Sequence, residues 1–366
     1  MYSVKPFNCI ISGGGTGGHI YPAIAIGKAL EQATPVAKIV FVGALGKMEM
    51  EKVPQAGFPI HGLWISGWHR GQRLRNLLFP IKLMVSLLQA FLLWLRYRPK
   101  VVVGTGGFAS GPMVYVSRLM GSKVLIQEQN SYAGMTNRFL GKKAHCIAVA
   151  YPKMDRYFPA EKMIFTGNPV RQAMMDQKES KEKALASFGF KANKKTILVI
   201  GGSLGAASIN QLIENNVSFF AQQHLQVIWQ CGNIYYEKYK HLADDNTVVL
   251  PFIQAMDLAY SSADFIISRA GAASISEISL VGKPALLIPS PNVAENHQYY
   301  NAKALANQNA ACLIEEKDLA TFPTVFLDLL ADEKRQEAFV ENLQFFARPH
   351  ATQEIVTHLL KLHNNA

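Results

Sequence analysis

Two stretches of this chain share one grammar. Residues 7–30, "FNCIISGGGTGGHIYPAIAIGKAL", and residues 194–217, "KKTILVIGGSLGAASINQLIENNV", each run from a short apolar segment through a glycine turn into a helical pattern. Each half then repeats the unit, as "KVVVGTGGFASGPMVYVSRLMGSKVLIQEQN" (100–130) and as "ADFIISRAGAASISEISLVGKPALLIPSP" (263–291). The apolar runs "VVVG", "ILVIGG", "FIIS" and "ALLIP" are continuous rather than alternating, the pattern of strands covered on both faces in parallel sheets. Strands alternating with helices imply βαβ units with right-handed crossovers. The expected fold is therefore α/β: two Rossmann-like, doubly wound parallel-sheet domains, residues 1–167 and 168–345, joined near "MIFTGNPVRQAM" (163–174). A chain of 366 residues is too long for one ordinary core and suits this division. The last segment, 346–366, carries an amphipathic helix, "TQEIVTHLLKL", able to pack on either domain. Ligands of open parallel sheets bind at the carboxyl ends of strands. Two such edges facing one another would make a deep cleft lined by glycine loops.

Composition narrows the setting. Nearly half the residues are apolar and 17% are charged, so the chain is globular. The four cysteines (Cys9, Cys146, Cys231, Cys312) are far apart and form no C-x-x-C pair, which reads as reduced, buried thiols in a cytosolic protein. Only "CII" precedes the first glycines, too little for a signal-peptide core. The net charge of +11 is uneven: no Asp or Glu lies between Glu51 and Glu128, while Lys52, Arg70, Arg73, Arg75, Lys82, Arg96, Arg98, Lys100, Arg118 and Lys123 all do. A positive field confined to one stretch points to an anionic partner. Within that stretch "LLFPIKLMVSLLQAFLLWLRYR" (77–98) is rich in Leu, Phe and Trp, which favours an anionic lipid surface over nucleic acid. Arg73, Arg75 and Lys82 are the candidate membrane contacts. Pro80 and Lys82 interrupt the start of the segment, leaving about 13 apolar residues before Arg96 against roughly 20 needed for a span. A helix packed on a sheet, and one that also dips an exposed face into lipid headgroups, both fit.

The glycine loops exclude as much as they allow. Gly13-x-Gly15-x-x-Gly18 matches the dinucleotide fingerprint, but the second strand, "KIVFVGALGK", ends without the acidic residue that holds a ribose. The P-loop reading fails because His19 stands where the lysine belongs. What remains is general: helix N-termini offer free N–H groups and partial positive charge, and glycines let a phosphate or sugar hydroxyl approach the backbone. "GGSLGA" (201–206) and "SRAGAASISE" (268–277) repeat the device in the second half, and several such starts suit a diphosphate. No D-x-D pair occurs, so nothing here provides that metal-holding carboxylate pair; helix dipoles and Arg171 would stabilise a leaving diphosphate. Glu277, in the first turns of its helix, is placed either to complement the dipole or to accept from both hydroxyls of a ribose. Gln298 opens a helix after the strand "ALLIPS" and carries an amide that both donates and accepts.

Taken in order, "GGGTGGHIYPA", "GTGGFASGP", "QEQNSYAGMTNR", "GNPVR", "GGSLGA", "SRAGAASISE" and "ENHQYYNA" closely resemble the peptidoglycan N-acetylglucosaminyltransferases, two-domain glycosyltransferases of the GT-B type. The likeness runs from residue 8 to about residue 302. It implies transfer of GlcNAc from UDP-GlcNAc to lipid I, the undecaprenyl-diphosphate-linked N-acetylmuramoyl pentapeptide. The product would be lipid II, formed with inversion into a β-1,4 bond and without a cofactor. It also implies a peripheral protein on the cytoplasmic face of the bacterial inner membrane, with other cell-wall synthesis proteins as further partners. By motif position Thr16, Gly17, Gly18, Asn130, Arg171, Ser203 and Ile253 would contact the donor, with Phe252 a cover for the uracil. Ala272, Ala273, Ser274, Ile275, Ser276 and Glu277 would hold the nucleoside, Glu277 on the ribose, and Gln298 the sugar hydroxyls. Ser274 stands where the family often has Thr, and His297 where relatives carry Gln.

Inversion requires one in-line displacement, so a general base must meet the acceptor's 4-hydroxyl opposite UDP. His19 is the first candidate, because a neutral imidazole is available near neutral pH. Glu128 in "QEQN" is the rival if burial raises its pKa. A UDP-sugar epimerase, a glycolipid synthase and a membrane-docked binding module are the competing functions. The basic, apolar 70–98 stretch speaks against a soluble epimerase, and Glu277, Gln298 and the glycine loops together speak against a mere binding module.

Overall fold

Short apolar runs become strands wherever the sequence has them, and they assemble into two all-parallel sheets. The computed structural model describes residues 7–68, 76–170 and 179–365. Two units divide the chain, residues 1–170 together with 350–366, and residues 171–349.

In the first unit the strands are β1 (Asn8–Gly13), β2 (Lys38–Ala44), β3 (Ile60–Leu63), β4 (Val101–Gly106), β5 (Lys123–Glu128), β6 (Cys146–Val149) and β7 (Met163–Phe165). They lie in the order β3-β2-β1-β4-β5-β6-β7. The order reverses between β1 and β4, so the carboxyl ends of those two strands flank the natural ligand crevice of the unit. Cys9, Ile11, Phe41, Val101, Val103 and Leu125 are buried on one side of this sheet, where helix Gly17–Ala33 packs with Ile20, Ala23, Ile26 and Leu30. Each large aliphatic side chain so buried contributes about 1.5–3 kcal/mol. The C-terminal helix Ala351–Asn364 joins the same core through Ile355, Val356 and Leu359, and stacks His363 on Phe7 with ring centroids 4.4 Å apart. Of the two packings open to it, it takes the first unit.

The second unit repeats the plan with β8 (Thr196–Ile200), β9 (Gln226–Gln230), β10 (Thr247–Leu250), β11 (Phe265–Ser268), β12 (Ala285–Leu287) and β13 (Cys312–Leu313), ordered β10-β9-β8-β11-β12-β13. Its switch point falls between β8 and β11, the two strands that lead directly into the glycine-rich turns of this unit. Phe322 stacks on Phe326, Phe220 meets both edge to face and Phe265 meets Phe326 edge to face, and the Trp229 indole donates to Asn210 at 3.0 Å. The doubly wound α/β architecture expected from the strand pattern is the one both halves adopt. All four cysteines are free and buried.

The apolar segment forms helix Phe79–Tyr97, which packs chiefly along helix Ser110–Leu119 and meets the sheet at β3, where His61 Nε2 lies 2.6 Å from the Tyr97 hydroxyl. Its inward face is narrow: Ser86, Ala90 and Trp94 are buried. Ile81, Met84, Leu88, Leu92 and Leu95, spaced three or four residues apart, face outward. By length and composition this helix could cross a membrane, and only 17% of its most apolar stretch is buried. It is anchored at one end by a buried relay in which the Trp94 indole donates to Ser122 Oγ (2.9 Å) and Ser122 donates to the Pro99 carbonyl (2.6 Å). Ser122→Ala would leave the indole N–H buried without an acceptor. That change is expected to lower stability by about 1–3 kcal/mol, read as a fall in the thermal unfolding midpoint with the far-UV spectrum unchanged at 20 °C or so.

Candidate active site

At the first switch point two glycine turns interlock. The β1–β4 register shifts between Ser12 and Gly13, so that Gly13 faces Gly106. Gly107 (φ +76°) lies so close to the Gly14 carbonyl that a Cβ would overlap it, and a side chain there would also reach the His19 ring. Only glycine satisfies both the backbone angle and the contact. His19 sits in the first turn of helix Gly17–Ala33, half-buried, with its imidazole against Gly106 and Gly107. Its Nδ1 lies 3.0 Å from Thr16 Oγ1. With the proton on Nδ1 and donated to that hydroxyl, Nε2 carries the lone pair, as a general base requires. Thr16 and Gly18 are exposed at the helix start. Not every amide of the loop is open to a ligand, however. The Gly15 N–H donates to the carboxylate of Glu49, a buried residue that no motif pointed to.

Glu128, at the end of β5, is 1% exposed. Its Oε1 accepts from the Asn130 backbone N–H (3.0 Å) and side chain (3.4 Å), and its Oε2 from the Gly134 N–H (3.2 Å) and Asn137 Nδ2 (2.9 Å). Burial pushes its pKa above the usual carboxylate range, and these donors pull the other way. Both oxygens are therefore engaged in shaping the 128–137 loop that presents Asn130. Around it run more buried amides: Gln127 donates to Asn168 (2.9 Å), Asn168 to the Gln129 carbonyl (3.1 Å), and Gln129 to the Thr105 carbonyl (2.7 Å). This web ties β5 to the second glycine turn and to the "GNP" segment. Its members are scattered in sequence, and only the clustering of amides in "QEQN" hinted at it.

In the second unit Gly202 (φ +88°) and Gly205 (φ +76°) shape the turn after β8, and a Cβ on Gly205 would overlap the Cys231 carbonyl. Ser203 is exposed on this turn, just before helix Ala207–Asn215. Gln230 at the end of β9 joins two predicted donor segments: its amide donates to the Gly202 carbonyl (2.9 Å) and accepts from the Ile253 N–H (2.9 Å). The Ile253 side chain is buried, so it offers a ligand main chain only, while Phe252 is 42% exposed beside it. Helix Ala272–Val281 begins at the carboxyl end of β11 after Gly271. Ala273 is exposed, Ser274 and Ser276 half-buried, and Ala272 and Ile275 buried, with Ser276 Oγ donating back to the Ala272 carbonyl (2.9 Å). Glu277 is 9% exposed and accepts from the Tyr260 hydroxyl at 3.1 Å, which orients the carboxylate. Gln298, in the first turn of helix His297–Ala306, accepts from the Ser290 N–H (2.9 Å), leaving its amide N–H2 to donate. His297 donates from Nδ1 to the Ala294 carbonyl (2.8 Å), and burial lowers its pKa.

Arg269 is a further residue the motifs left unassigned. Its guanidinium donates to the Ile288 carbonyl (3.1 Å) and to Ser208 Oγ (2.8 Å) and pairs with Glu316 at 2.5 Å, joining the loops after β8, β11 and β12. Arg73, Arg75 and Arg171 lie outside the described residues. Lys82 is described: its ammonium donates to Ser66 Oγ (3.3 Å) near the Trp64 ring. No group of three or more His, Cys, Asp or Glu able to hold a metal occurs among the described residues. A groove of about 540 Å³, lined by Lys195, Asp264, Lys283 and Glu337, opens at the amino ends of β8, β11 and β12, away from every glycine loop.

Comparison with known proteins follows this geometry. Residues 9–149 match the glycosyltransferase family 28 N-terminal domain, and residues 196–354 the glycosyltransferase family 28 C-terminal domain. A Flavobacterium psychrophilum protein, 50% identical over 361 residues and 98% of both chains, is named UDP-N-acetylglucosamine--N-acetylmuramyl-(pentapeptide) pyrophosphoryl-undecaprenol N-acetylglucosamine transferase. A Christiangramia forsetii protein of the same name is 51% identical over 357 residues, 97% of this chain and 98% of its own. Among solved structures, Acinetobacter baumannii MurG matches with a TM-score of 0.80 and 29% identity over 97% of this chain and 100% of that one. A UDP-N-acetylglucosamine 2-epimerase shares the fold at 13% identity and a TM-score of 0.62. With both of its domain models matched across most of the chain, this protein belongs to glycosyltransferase family 28.

Proposed function

We propose that this protein is an inverting glycosyltransferase that moves GlcNAc from UDP-GlcNAc to the 4-hydroxyl of the N-acetylmuramoyl residue of lipid I, giving lipid II. The observation that carries the reading is the 50% identity, across 98% of both chains, to a protein named for that reaction. The site chemistry agrees with it. In the second unit, two helix starts at one switch point offer main-chain N–H groups to a diphosphate, Glu277 offers a carboxylate to a ribose, and Gln298 offers an amide to a sugar. The donor is read as held there.

In the reaction the acceptor's 4-hydroxyl oxygen attacks the anomeric carbon, the bond to the UDP oxygen breaks, and the hydroxyl proton passes to a base. His19 fits that role better than Glu128. Its Nδ1 meets the Thr16 hydroxyl, which holds the half-buried ring at the start of the helix, whereas both oxygens of Glu128 are held by four N–H groups. Glu128 is read instead as the residue that shapes the Asn130 loop. The leaving diphosphate takes its stabilisation from helix N-termini and from Arg171.

The same reading makes the protein a peripheral one on the cytoplasmic face of the inner membrane. Its support is the outward stripe Ile81, Met84, Leu88 and Leu92, followed by exposed Arg96 and Arg98 at the helix end. Helix Phe79–Tyr97 is laid along helix Ser110–Leu119 with Ser86, Ala90 and Trp94 buried, which suits a surface helix that sinks its other side into the headgroup layer.

Three outcomes are expected. His19→Ala should keep UDP-GlcNAc binding by calorimetry while kcat falls about 10²- to 10⁴-fold; in Glu128→Gln the acid limb of the kcat–pH profile should stay where it is in the parent. Glu277→Gln, which keeps an oxygen for Tyr260 but loses the charge, should raise the donor KM by about 10- to 100-fold, equivalent to the roughly 1.5–3 kcal/mol of a charge-assisted hydrogen bond. In vesicle sedimentation, Arg73, Arg75 and Lys82 changed to Glu should abolish the preference for anionic lipid, and Met84→Glu with Leu88→Glu should weaken binding to neutral vesicles too. Donor affinity should be unchanged in both, and vesicle binding equal to the parent would remove the membrane role.

A further inference from the structure

Glu49 belongs to none of the motifs that led to the transfer reaction, yet it is completely buried. It opens helix Glu49–Gln55, five residues beyond the end of β2. A glutamate at such a position ordinarily complements the dipole of its own helix. Here the carboxylate turns outward to other elements: Oε1 accepts from the Ala44 N–H (3.0 Å) and the Gly15 N–H (3.2 Å), and Oε2 accepts from the same Gly15 N–H (3.0 Å). The side chain also fills the space two glycines leave open. A Cβ on Gly43 would come 2.5 Å from its Cγ, and a Cβ on Gly14 would overlap the carboxylate. Gly14, Gly43 and Glu49 thus form one packing unit, although 35 residues separate the first from the last.

We propose that Glu49 is a positioning residue for the transfer, fixing the Gly13–Thr16 turn from behind and through it the His19 imidazole, without touching substrate. The inference rests on the reading of His19 as the base. The turn needs such a clamp because it has almost nothing of its own to hold it. Gly13, Gly14 and Gly15 lack side chains, Gly15 stands at φ +84°, and Thr16 is exposed. A glycine run left to itself samples many conformations. His19 follows three residues after Thr16, whose carbonyl accepts from the His19 N–H (3.2 Å) and whose hydroxyl meets the ring. Any shift of the turn is therefore passed to the imidazole. Oε1 alone reaches both amides, so the clamp depends on an accepting oxygen at the end of a three-carbon arm rather than on charge.

Glu49→Ala and Glu49→Gln in the full-length protein separate the possibilities. Turnover of UDP-GlcNAc with lipid I is expressed per UDP-binding site, titrated by calorimetry, so that only folded molecules count. Glu49→Ala is expected to lose about 100-fold in kcat, the scale of a displacement near 1 Å at a reacting group, with the donor KM and the UDP Kd within about threefold of the parent. Glu49→Gln, which keeps the accepting oxygen, is expected to recover most of that loss. Amide hydrogen exchange over residues 13–20 should be faster in the Ala variant and near normal in the Gln variant. A kcat per site unchanged in Glu49→Ala, a loss shared in full by Glu49→Gln, or unchanged exchange over 13–20 would each overturn the proposal. Because exchange is read without turnover, a parent that binds UDP but makes no lipid-linked product would sink the transfer reading while leaving the Glu49 clamp to be judged on exchange alone.

Discussion

The close approach of main chain to main chain where neighbouring strands end is the constraint on which the rest depends. In the first unit Gly107 lies against the Gly14 carbonyl; in the second, Gly205 lies against the Cys231 carbonyl and Gly232 against the Leu204 carbonyl. Side chains at those positions would hold the turns apart. Once they interlock, the helices that follow begin at fixed points, and their first N–H groups are aimed before any ligand arrives. Preorganised donors of that kind stabilise developing negative charge without reorganisation at the moment of reaction. An enzyme built this way can stabilise a departing diphosphate on main-chain dipoles.

Local features of the sequence carried the fold a long way. Continuous apolar runs, glycine turns and helical spacing all act between neighbours in the chain, so both doubly wound sheets and the loops at their carboxyl ends could be read directly. Glu49, Gln230 and Arg269 could not, because each works by reaching a loop distant in sequence: Gly15, Gly202 with Ile253, and Ser208 with Glu316. The buried Gln127–Asn168–Gln129 web was hidden for the same reason. In helix Phe79–Tyr97 the difficulty was different. A segment so rich in apolar residues gives no clear period to show which face turns inward, and here Ser86, Ala90 and Trp94 do, leaving Leu88, Leu92 and Leu95 exposed.

Polar burial sorts the two units by task. Behind the loops of the first unit stand two carboxylates, Glu49 and Glu128, whose oxygens take up N–H groups that an anion would otherwise use. The corresponding edge of the second unit holds Arg269, its charge met by Glu316, and leaves the starts of helices Ala207–Asn215 and Ala272–Val281 uncapped by side chains. The proposed function accordingly reads the uridine diphosphate at the second edge and the hydroxyl that loses its proton at the first.

That division also accounts for the different ways the two units use glycine. In the second, on the proposed function, glycines bring backbone close to a leaving diphosphate, and bare amides are the functional groups. In the first, the glycines make room for side chains: Gly14 and Gly43 for Glu49, Gly106 and Gly107 for His19. A loop that looks like an anion cradle in sequence is, on this side, a socket for a carboxylate and an imidazole. The same glycine grammar thus supports two chemistries, and what distinguishes them is whether the space left by the missing Cβ is filled from within the protein or kept for the ligand.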